Sequence, residues 1–391
     1  MTLVGRMLRA LAARTLQRPA LEFSTGLNAG RVHTIRPDTP LREALAKTAR
    51  LRLGALVVAA GDDGSATLGQ RASQVEPLGI FTERDVMEKL DFADKTLSLS
   101  STTVCEFMTD KTSLQCATPE WTLEEALLAM HRGHFRHLPI LDGTGHVLSM
   151  LSLRDVARAL ARAASVAASD TAASTAVRVD GEAVGPSPED VGPSPEALAR
   201  AAATTADDLA KAKARSVQIT SPSLVRAGRG RKDLMEPASM TAQEISGGSP
   251  AVNVSCIEVA HNATVAEAVL EMRRWRAGSV LVPVEAGKTV GDSRSEFGIF
   301  TERDFVKMLG LHRRERDFSS RLDHMVDPRH VQVSRVMTGS DRLRTVEKAA
   351  PAWRCLESMG SEDVRHLPVM GSDGGLVAVL SMRDIVVRFL L

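Results

Sequence analysis

The sequence Gly79-Ile-Phe-Thr-Glu-Arg-Asp85 returns unchanged at residues 298–304. Two related stretches, Ser-Met-Leu-Ser-Leu-Arg-Asp at 149–155 and Ala-Val-Leu-Ser-Met-Arg-Asp at 378–384, keep the same spacing of hydroxyl, arginine and aspartate. Each stretch predicts a strand that ends where a helix begins, because an apolar run is followed by a helix-starting pattern. Four copies at regular places indicate an internal repeat.

The four copies are of two kinds, which we call A-type and B-type. The A-type copies contain Thr-Glu-Arg-Asp, and the B-type copies contain Ser-Leu-Arg-Asp or Ser-Met-Arg-Asp. Only the B-type copies are preceded by Arg-His-Leu-Pro, at residues 136–139 and 365–368. The order along the chain is A, B, linker, A, B, which indicates that a unit of two repeats has been duplicated.

Each copy is part of a predicted β-α-β-β-α unit. A helix with one apolar face precedes a short apolar run, and such a run without alternation is typical of a buried strand. One unit is small for an independent core, so we expect the units to pack in pairs through their sheets, in an α/β fold. The predicted repeats 1 to 4 occupy residues 29–97, 103–161, 250–311 and 333–391. The predicted helical faces are Leu41, Ala44, Leu45, Thr48; Leu123, Ala126, Leu127, Met130; Val265, Ala268, Val269, Met272; and Ala352, Cys355, Leu356, Met359.

The remaining segments have a different composition. Residues 162–245 are rich in Ala, Ser, Pro and Thr, which predicts a disordered linker. Residues 1–21 contain four arginines and no acid, so residues 1–28 are predicted to be a transit peptide outside the fold. That interpretation favours a mitochondrial location, with plastid or cytoplasmic as alternatives, and an ordinary N-terminal helix remains open.

Overall charge and hydropathy exclude some classes of partner. The chain has 49 basic and 48 acidic residues, without the basic excess that a nucleic-acid-binding surface requires. No apolar run is long enough to span a bilayer. The spacing of His131, His134 and His137 is not one of a known metal site, and we expect no metal.

The hydroxyl-x-Arg-Asp turn has two physical interpretations. A Ser or Thr followed three residues later by an acid is a helix-capping signature. The same helix end presents free amides to a phosphate, and a carboxylate one turn further on can hold ribose hydroxyls. Capping alone does not require an arginine between the two residues, nor four recurrences, so we favour ligand binding for the set.

These motifs together resemble the CBS-domain family. The resemblance rests on the β-α-β-β-α repeat, the Gly-Ile-Phe-Thr-Glu-Arg-Asp ending, the Gly54-Ala-Leu-Val-Val58 strand and the Arg-His-Leu-Pro segments. The segments Cys105-Glu-Phe-Met-Thr109 and Ser334-Arg-Val-Met-Thr338 resemble the family's lead-in between paired repeats. The resemblance covers about residues 29–161 and 250–391. It implies four repeats packed as two modules, each with a pseudo-two-fold axis.

The resemblance also implies ligands and residue roles. Family members bind adenosyl ligands in the clefts between paired repeats: AMP, ADP, ATP, NAD(H) or S-adenosylmethionine. The residues expected to hold ribose are Asp85, Asp155, Asp304 and Asp384. The residues expected to contact phosphate are Thr82, Ser152, Thr301, Ser381, Arg136, His137, Arg365 and His366. The A-type repeats lack the Arg-His pair, so the four clefts are not expected to be equivalent.

The sequence therefore predicts a non-catalytic regulatory protein that senses adenosyl ligands and requires no cofactor. An unidentified regulated protein would respond to the ligand, and a homodimer is left open. The alternative is a ligand-free scaffold that uses the repeats for dimerisation and other protein–protein contacts. No nucleophile and base stand out, so an enzyme is not expected.

Overall fold

The computed structural model describes most of the predicted repeats and part of the sequence outside them. The described residues are 13–24, 31–60, 70–71, 75–93, 99–176, 241–242, 245, 256–290, 296–310 and 327–390.

Each of the four repeats contains a helix, an antiparallel pair of strands and a second helix. Repeat 1 contains β1 (Thr34–Ile35), α1 (Leu41–Leu51), β2 (Ala55–Val58), β3 (Gly79–Thr82) and α2 (Glu83–Lys89). Repeat 2 contains α3 (Leu123–Arg132), β4 (His137–Leu141), β5 (Val147–Ser152) and α4 (Leu153–Ala176). Repeat 3 contains α5 (Val265–Arg274), β6 (Ser279–Pro283), β7 (Phe297–Thr301) and α6 (Glu302–Gly310). Repeat 4 contains β8 (Val346–Glu347), α7 (Ala352–Ser361), β9 (His366–Met370), β10 (Leu376–Ser381) and α8 (Met382–Leu390).

Shorter elements connect these repeats. They are the 3₁₀ turns Ala20–Glu22, Val333–Arg335 and Ser340–Arg342, the helix Val104–Phe107, and the two-residue strands Arg31–Val32, Gln70–Arg71 and Thr109–Asp110.

The strand register at the motif end is the same in all four repeats, and only the two B-type pairs shift register further along, at Ile140/Leu141 and Val369/Met370. The residue that begins the first long strand lies opposite the hydroxyl residue of the motif in each one. These pairs are Ala55 with Thr82, His137 with Ser152, Ser279 with Thr301, and His366 with Ser381. A residue with a left-handed backbone follows the first helix of every repeat: Arg52, His134, Arg276 and Asp363. The four repeats are therefore structurally equivalent, including repeat 3.

The predicted helical faces are confirmed. All sixteen residues of the four faces are buried, from Leu41 in repeat 1 to Met359 in repeat 4. Leucine, alanine, valine and methionine supply most of these positions, and each face packs against a neighbouring helix or strand. Burial of one face of each helix gives the helices their stability, because isolated helices of this length are marginal in water.

Two small hydrophobic clusters join the sheets in pairs. In one cluster, Val57 and Val75 of repeat 1 pack with Val147 of repeat 2. In the other, Leu281 of repeat 3 packs with partly buried residues of repeat 4, including Leu376. The sheets therefore pair repeat 1 with 2 and repeat 3 with 4, as two modules. The α/β fold class with paired repeats is confirmed.

The two largest hydrophobic cores run between the modules rather than within them. One contains residues of repeats 1 and 3, where α6 packs on α1 and α2. The other contains residues of repeats 2 and 4, where α7 and α8 pack on α4. Most of the buried apolar surface thus depends on both modules being present.

The N-terminal prediction needs a correction. The sequence analysis placed residues 1–28 outside the fold, but residues 13–24 pack against repeat 2. Leu16 and Ala20 are buried in the core of repeats 2 and 4, and the Ala20 N–H donates to the Trp121 carbonyl at 2.7 Å. An equivalent contact joins the Ala242 N–H to the Ala350 carbonyl at 2.8 Å in repeat 4. Residues 1–12 and 25–30 lie outside the described residues, and the transit peptide stays a prediction.

The linker prediction is also corrected at both of its ends. Residues 162–176 continue helix α4, and Ala242 and Ile245 are buried in the same core as Leu16. The predicted disorder of residues 177–240 lies outside the described residues. Within the described part of the chain, no helix combines the length and apolar character needed to cross a bilayer.

Candidate functional site

Each hydroxyl-x-Arg-Asp turn forms a reciprocal helix cap. In repeat 1, the Thr82 N–H and hydroxyl donate to the Asp85 carboxylate at 2.8 and 2.6 Å, and the Asp85 N–H donates back to the hydroxyl at 3.2 Å. The same three bonds form at the other turns, with hydroxyl-to-carboxylate distances of 2.6 to 2.7 Å. The capping prediction is therefore confirmed for all four turns. Each cap holds its aspartate in the first turn of a helix.

The local environment distinguishes the aspartates. Burial raises the pKa of Asp85, Asp155 and Asp304, although hydrogen bonds from the capping residue oppose this rise. Asp85 has two further partners, since the Thr109 hydroxyl donates to it at 3.1 Å and Lys89 Nζ lies 3.6 Å away. The carboxylate of Asp85 is thus engaged by its cap, by a second hydroxyl and by a lysine.

A buried ion pair joins repeat 1 to repeat 4. Glu83, from the first A-type motif, pairs with Arg365 of the second Arg-His segment. Arg303 Nε of repeat 3 lies 3.5 Å from the same carboxylate. Burial raises the pKa of Glu83, but the charges of Arg365 and Arg303 outweigh burial and lower it to about 2. Glu83 is therefore a carboxylate at neutral pH, although its side chain is only 4% exposed.

A matching ion pair joins repeat 3 to repeat 2. Glu302, from the second A-type motif, pairs with Arg136 of the first Arg-His segment, and Arg84 Nη2 of repeat 1 lies 3.3 Å away. Burial opposes ionisation of Glu302, but the charges of Arg136 and Arg84 lower its pKa overall. We call these six residues the central cluster. The cluster connects all four repeats through two glutamates that the sequence analysis did not identify.

The sequence contained a signal for this cluster. Glutamate follows the hydroxyl residue only in the A-type motifs, and the Arg-His pair occurs only in the B-type repeats. Opposite charges restricted to alternate repeats indicate a contact between the two kinds of repeat. The Arg-His prediction had instead assigned both arginines to phosphate.

The histidines of these segments lie over glycines of the partner repeat. A Cβ added at Gly54 would lie 2.6 Å from His137 Nε2, and one at Gly278 would lie 2.9 Å from His366 Nε2. Glycine at these A-type positions therefore makes room for the B-type imidazole. Burial and neighbouring arginines lower the pKa of His137 to about 3 and that of His366 to about 4. Both rings are neutral at physiological pH.

The four motif arginines meet in pairs at two corners. Arg84 donates to the His134 carbonyl at 3.4 Å, and Arg383 Nη2 lies 2.7 Å from His134 Nδ1. At the other corner, Arg154 Nη1 lies 2.5 Å from one Asp363 oxygen and Arg303 Nη1 lies 3.0 Å from the other. The arginine in each hydroxyl-x-Arg-Asp turn thus contacts a residue of another repeat.

One large cavity contains both B-type turns. Its volume is about 600 Å³, and Ser152, Asp155, Ser381 and Asp384 line it. The arginines that line it are Arg52, Arg84, Arg136, Arg154, Arg158, Arg276, Arg365 and Arg383. A concave site of this size accommodates a nucleotide-sized molecule, and its guanidinium groups suit phosphate.

The A-type turns differ from the B-type turns. Thr301 and Asp304 line a smaller cavity of about 210 Å³ with Arg342 and Arg344. Asp85 lines neither of these two cavities. The structure thus brings Asp155 and Asp384 into one cavity together with both Arg-His pairs, and leaves Asp85 and Asp304 apart from it. Among the described residues, no group of three His, Cys, Asp or Glu side chains could hold a metal ion.

Comparison with known proteins identifies the family of this chain. The family model of the CBS domain matches residues 29–91, 104–162 and 333–390. The chain belongs to the CBS domain family. The matched ranges do not include repeat 3, so the predicted number of four family repeats is not confirmed by this comparison.

Two curated relatives have similar levels of identity. The "uncharacterized 17.7 kDa protein in bps2 3'region" of Acidianus ambivalens is 30% identical over 130 residues, which are 33% of this chain and 68% of that protein. The CBS domain-containing protein CBSX3, mitochondrial, of Arabidopsis thaliana is 30% identical over 123 residues, which are 32% of this chain and 53% of that protein. The chain thus spans about half to two thirds of the length of these relatives.

A solved structure has the same overall fold. Protein MJ1225 from Methanocaldococcus jannaschii matches with a TM-score of 0.58 and 15% sequence identity, over 95% of this chain and all of that chain. At this identity the likeness concerns the fold alone. It extends over both modules, including the segment that contains repeat 3.

Proposed function

We propose that this protein is a non-catalytic regulator that binds adenosyl ligands in its two B-type clefts. The observation that carries the proposal is the 600 Å³ cavity, which holds two Ser-x-Arg-Asp turns among eight arginines. Asp155 and Asp384 would bind ribose hydroxyls. The N-terminal ends of α4 and α8, with Ser152 and Ser381, would bind phosphate.

Apolar groups in the cavity would hold the adenine. The apolar residues that line the cavity include Val32, Ala55, Val57, Met150, Ala277 and Val379. Aliphatic side chains on either side of a planar base exclude water from its faces, which favours binding without aromatic stacking. The ligand class is AMP, ADP, ATP, NAD(H) or S-adenosylmethionine.

The regulatory part of the proposal rests on how the cavity is built. All four repeats contribute to the central cluster, so a ligand that alters these arginine contacts acts on both modules together. A ligand shifts an equilibrium between conformations only by binding them with different affinity. The relative MJ1225 is described as a candidate archaeal homolog of γ-AMPK, which is consistent with a regulatory role. The regulated partner would read the relative position of the two modules.

The third repeat is proposed to be a fourth family copy. Its strand register, its left-handed residue Arg276 and its reciprocal cap at Thr301 and Asp304 are those of the three matched repeats. The A-type motif of repeat 3 is identical to that of repeat 1. Divergence of other residues would then explain why the family model matches only three ranges.

Isothermal titration calorimetry of the nucleotide-free chain with the five ligands tests ligand binding. Asp155→Ala and Asp384→Ala should each weaken binding by at least about tenfold, because one ribose contact is lost. Asp85→Ala is the matched control. It removes a cap of the same geometry, at a cost of about 1 kcal/mol in stability, and should leave affinity unchanged.

The alternative is a ligand-free scaffold for protein–protein contacts. In that case the caps serve only the helices, and all three alanine variants lose a similar small amount of stability. Absence of a heat signal and of thermal stabilisation with every ligand would reject ligand binding. A saturating ligand at about 100 times its Kd should otherwise add about 2.7 kcal/mol to the free energy of unfolding.

We also propose a mitochondrial location. Support comes from the arginine-rich, acid-poor N-terminal segment and from the likeness to the mitochondrial protein CBSX3. Because Leu16 and Ala20 belong to the core, cleavage of a transit peptide should occur before residue 13. N-terminal sequencing of the protein recovered from mitochondria checks both points. A diffuse cytosolic signal for the tagged full chain would contradict the location.

A further inference from the structure

Two equivalent corners of the large cavity carry different side chains. His134 of repeat 2 and Asp363 of repeat 4 each follow the first helix of a B-type repeat, with left-handed φ angles of 56° and 57°. Both residues line the cavity. The central cluster and the caps have equivalent residues in the two modules. The corners differ, since one has an imidazole and the other a carboxylate.

At the Asp363 corner one carboxylate lies between two arginines. Arg154 Nη1 lies 2.5 Å from one carboxylate oxygen, and Arg303 Nη1 lies 3.0 Å from the other and donates to the Asp363 carbonyl at 2.9 Å. The three side chains are only 12 to 23% exposed, so water screens this contact incompletely. A carboxylate with two arginines around it has the charge arrangement of a bound phosphate.

At the His134 corner an imidazole stands, among the described residues, where the other corner has a carboxylate, and Arg84 pairs instead with Glu302. Arg383 Nη2 lies 2.7 Å from His134 Nδ1, and because a guanidinium only donates hydrogen bonds, the ring nitrogen must be the acceptor. The charge of Arg383, then burial, then the charges of Arg276 and Arg84 lower the pKa of His134, so the ring is neutral at physiological pH. Arg383 Nη2 also donates to the His131 carbonyl at 3.2 Å, and the carboxylate that acts on its charge is that of Asp384 in its own motif. His134, unlike Asp363, adds no negative charge to this corner.

We propose that Asp363 makes the two B-type clefts select adenosyl ligands of different charge, an inference that rests on the proposed function. Arg154 precedes Asp155 and is held by Asp363, whereas Arg383 precedes Asp384 and faces a neutral ring. In the Asp155 cleft, a phosphate competes with the Asp363 carboxylate for the positive charge of Arg154 and is repelled by that carboxylate.

The ligand classes follow from this difference. The Asp384 cleft takes the more highly phosphorylated ligand, a nucleoside triphosphate. The Asp155 cleft takes a monophosphate or an adenosyl ligand without phosphate. One cavity thereby contains a cleft for a nucleoside triphosphate and a cleft for a ligand with one phosphate or none.

Single-cleft variants of the full chain test the inference by calorimetry. Asp384→Ala leaves the Asp155 cleft intact, and Asp155→Ala leaves the Asp384 cleft intact. ATP and AMP are titrated into each nucleotide-free variant, and the readout is the ratio of the two affinities. The ratio of ATP affinity to AMP affinity should be at least about tenfold higher in the Asp384 cleft than in the Asp155 cleft, because the Asp384 cleft lacks the negative charge of Asp363.

Substitutions of Asp363 and His134 then test whether these two residues cause the difference in ligand preference. Asp363→Asn in the Asp384→Ala chain should raise the preference for ATP, and His134→Asp in the Asp155→Ala chain should lower it. These variants act in opposite directions at equivalent positions, so loss of folded protein cannot produce both results. A ratio that is equal in both clefts, or unchanged by both exchanges while ATP and AMP still bind, overturns the inference alone. Absence of binding in the unmodified chain overturns the proposed function with it.

Discussion

His137 and His366 should destabilise the ligand-free protein as the pH falls from about 7 to about 5. In the folded chain, burial and neighbouring arginines lower the pKa of His137 to about 3 and of His366 to about 4. In the unfolded chain a histidine has a pKa of about 6.5. Between these values the unfolded state binds two protons that the folded state does not bind, so protonation favours unfolding.

The magnitude follows from the proton linkage. A histidine whose pKa is lower in the folded state does not change the free energy of unfolding well above pH 6.5. This free energy decreases as the pH falls through about 6.5 toward the pKa of the folded state. Each ring then costs about 2 kcal/mol between pH 7 and 5, or about 4 kcal/mol for both. Because both rings are partly exposed to the cavity, we expect a loss of about 2 to 4 kcal/mol. Glu83 does not contribute in this interval, since its stabilising effect is lost only as the pH falls below about 4.5 toward its folded pKa of about 2.

Urea unfolding followed by circular dichroism at both pH values measures the loss. The His137→Gln/His366→Gln double variant lacks both titrating rings and should lose about 2 to 4 kcal/mol less than the unmodified chain. His330→Gln is the control, because the His330 side chain is 81% exposed. Other titrating groups, including Asp85 and Asp155, are present in every variant and cancel in the comparison.

Two results would refute this reasoning. One is an equal pH dependence in the unmodified chain and the double variant. The other is a folded-state titration of His137 near pH 6.5, which the imidazole resonances in a nuclear magnetic resonance titration would show directly. Either result would mean that the centre of the molecule is hydrated enough to accept a charged imidazole beside its arginines.

Three further predictions concern stability. Glu83→Gln should lower the free energy of unfolding in urea by about 3 to 5 kcal/mol, because two arginines lose a buried partner. The control Glu88→Gln, at an exposed ion pair, should cost under about 1 kcal/mol. Equal costs for the two variants would contradict a central role for the cluster. In thermal unfolding, Gly54→Ala should lower the free energy of unfolding by about 1 to 3 kcal/mol, because its Cβ would lie 2.6 Å from His137. The control Gly375→Ala, whose Cβ would have ordinary contacts of 3.4 Å, should leave the stability nearly unchanged. Leu16→Ala should cost about 2 to 5 kcal/mol, and a change below about 0.5 kcal/mol would show that residues 13–24 are not docked in solution.

Local patterns in the sequence were enough for the elements and their caps. The helical faces repeat with the period of an α-helix, and the cap joins residues only three apart, so both depend on neighbouring residues. The prediction that Asp155 and Asp384 hold ribose rests on the same local motif. The contact that engages Asp85 was not predicted, because Thr109 reaches it only through the pairing of Ile80 with Thr109 across two strands.

Composition was a weaker guide at the edges of the fold. Residues 1–21 resemble a targeting segment because they contain four arginines and no acid, yet Leu16 and Ala20 are buried in the core that contains α3. The same applies to Ala242 and Ile245 in the linker. A few apolar residues in a polar or alanine-rich segment suffice for docking when a complementary surface already exists, and the segment alone does not reveal that surface.

The sequence by itself determined that the chain consists of duplicated pairs of β-α-β-β-α repeats with a capped aspartate in each, since repetition, periodicity and capping are properties of contiguous residues. Only the tertiary structure decided that the arginines of the Arg-His pairs bind glutamates of the opposite module, with Arg365 and Glu83 separated by 282 residues. It also decided which turns share a cavity and that Asp363 and His134 occupy equivalent corners. The physical reason is that burial and electrostatic pairing depend on distances between repeats, and those distances are set by helix packing between the modules.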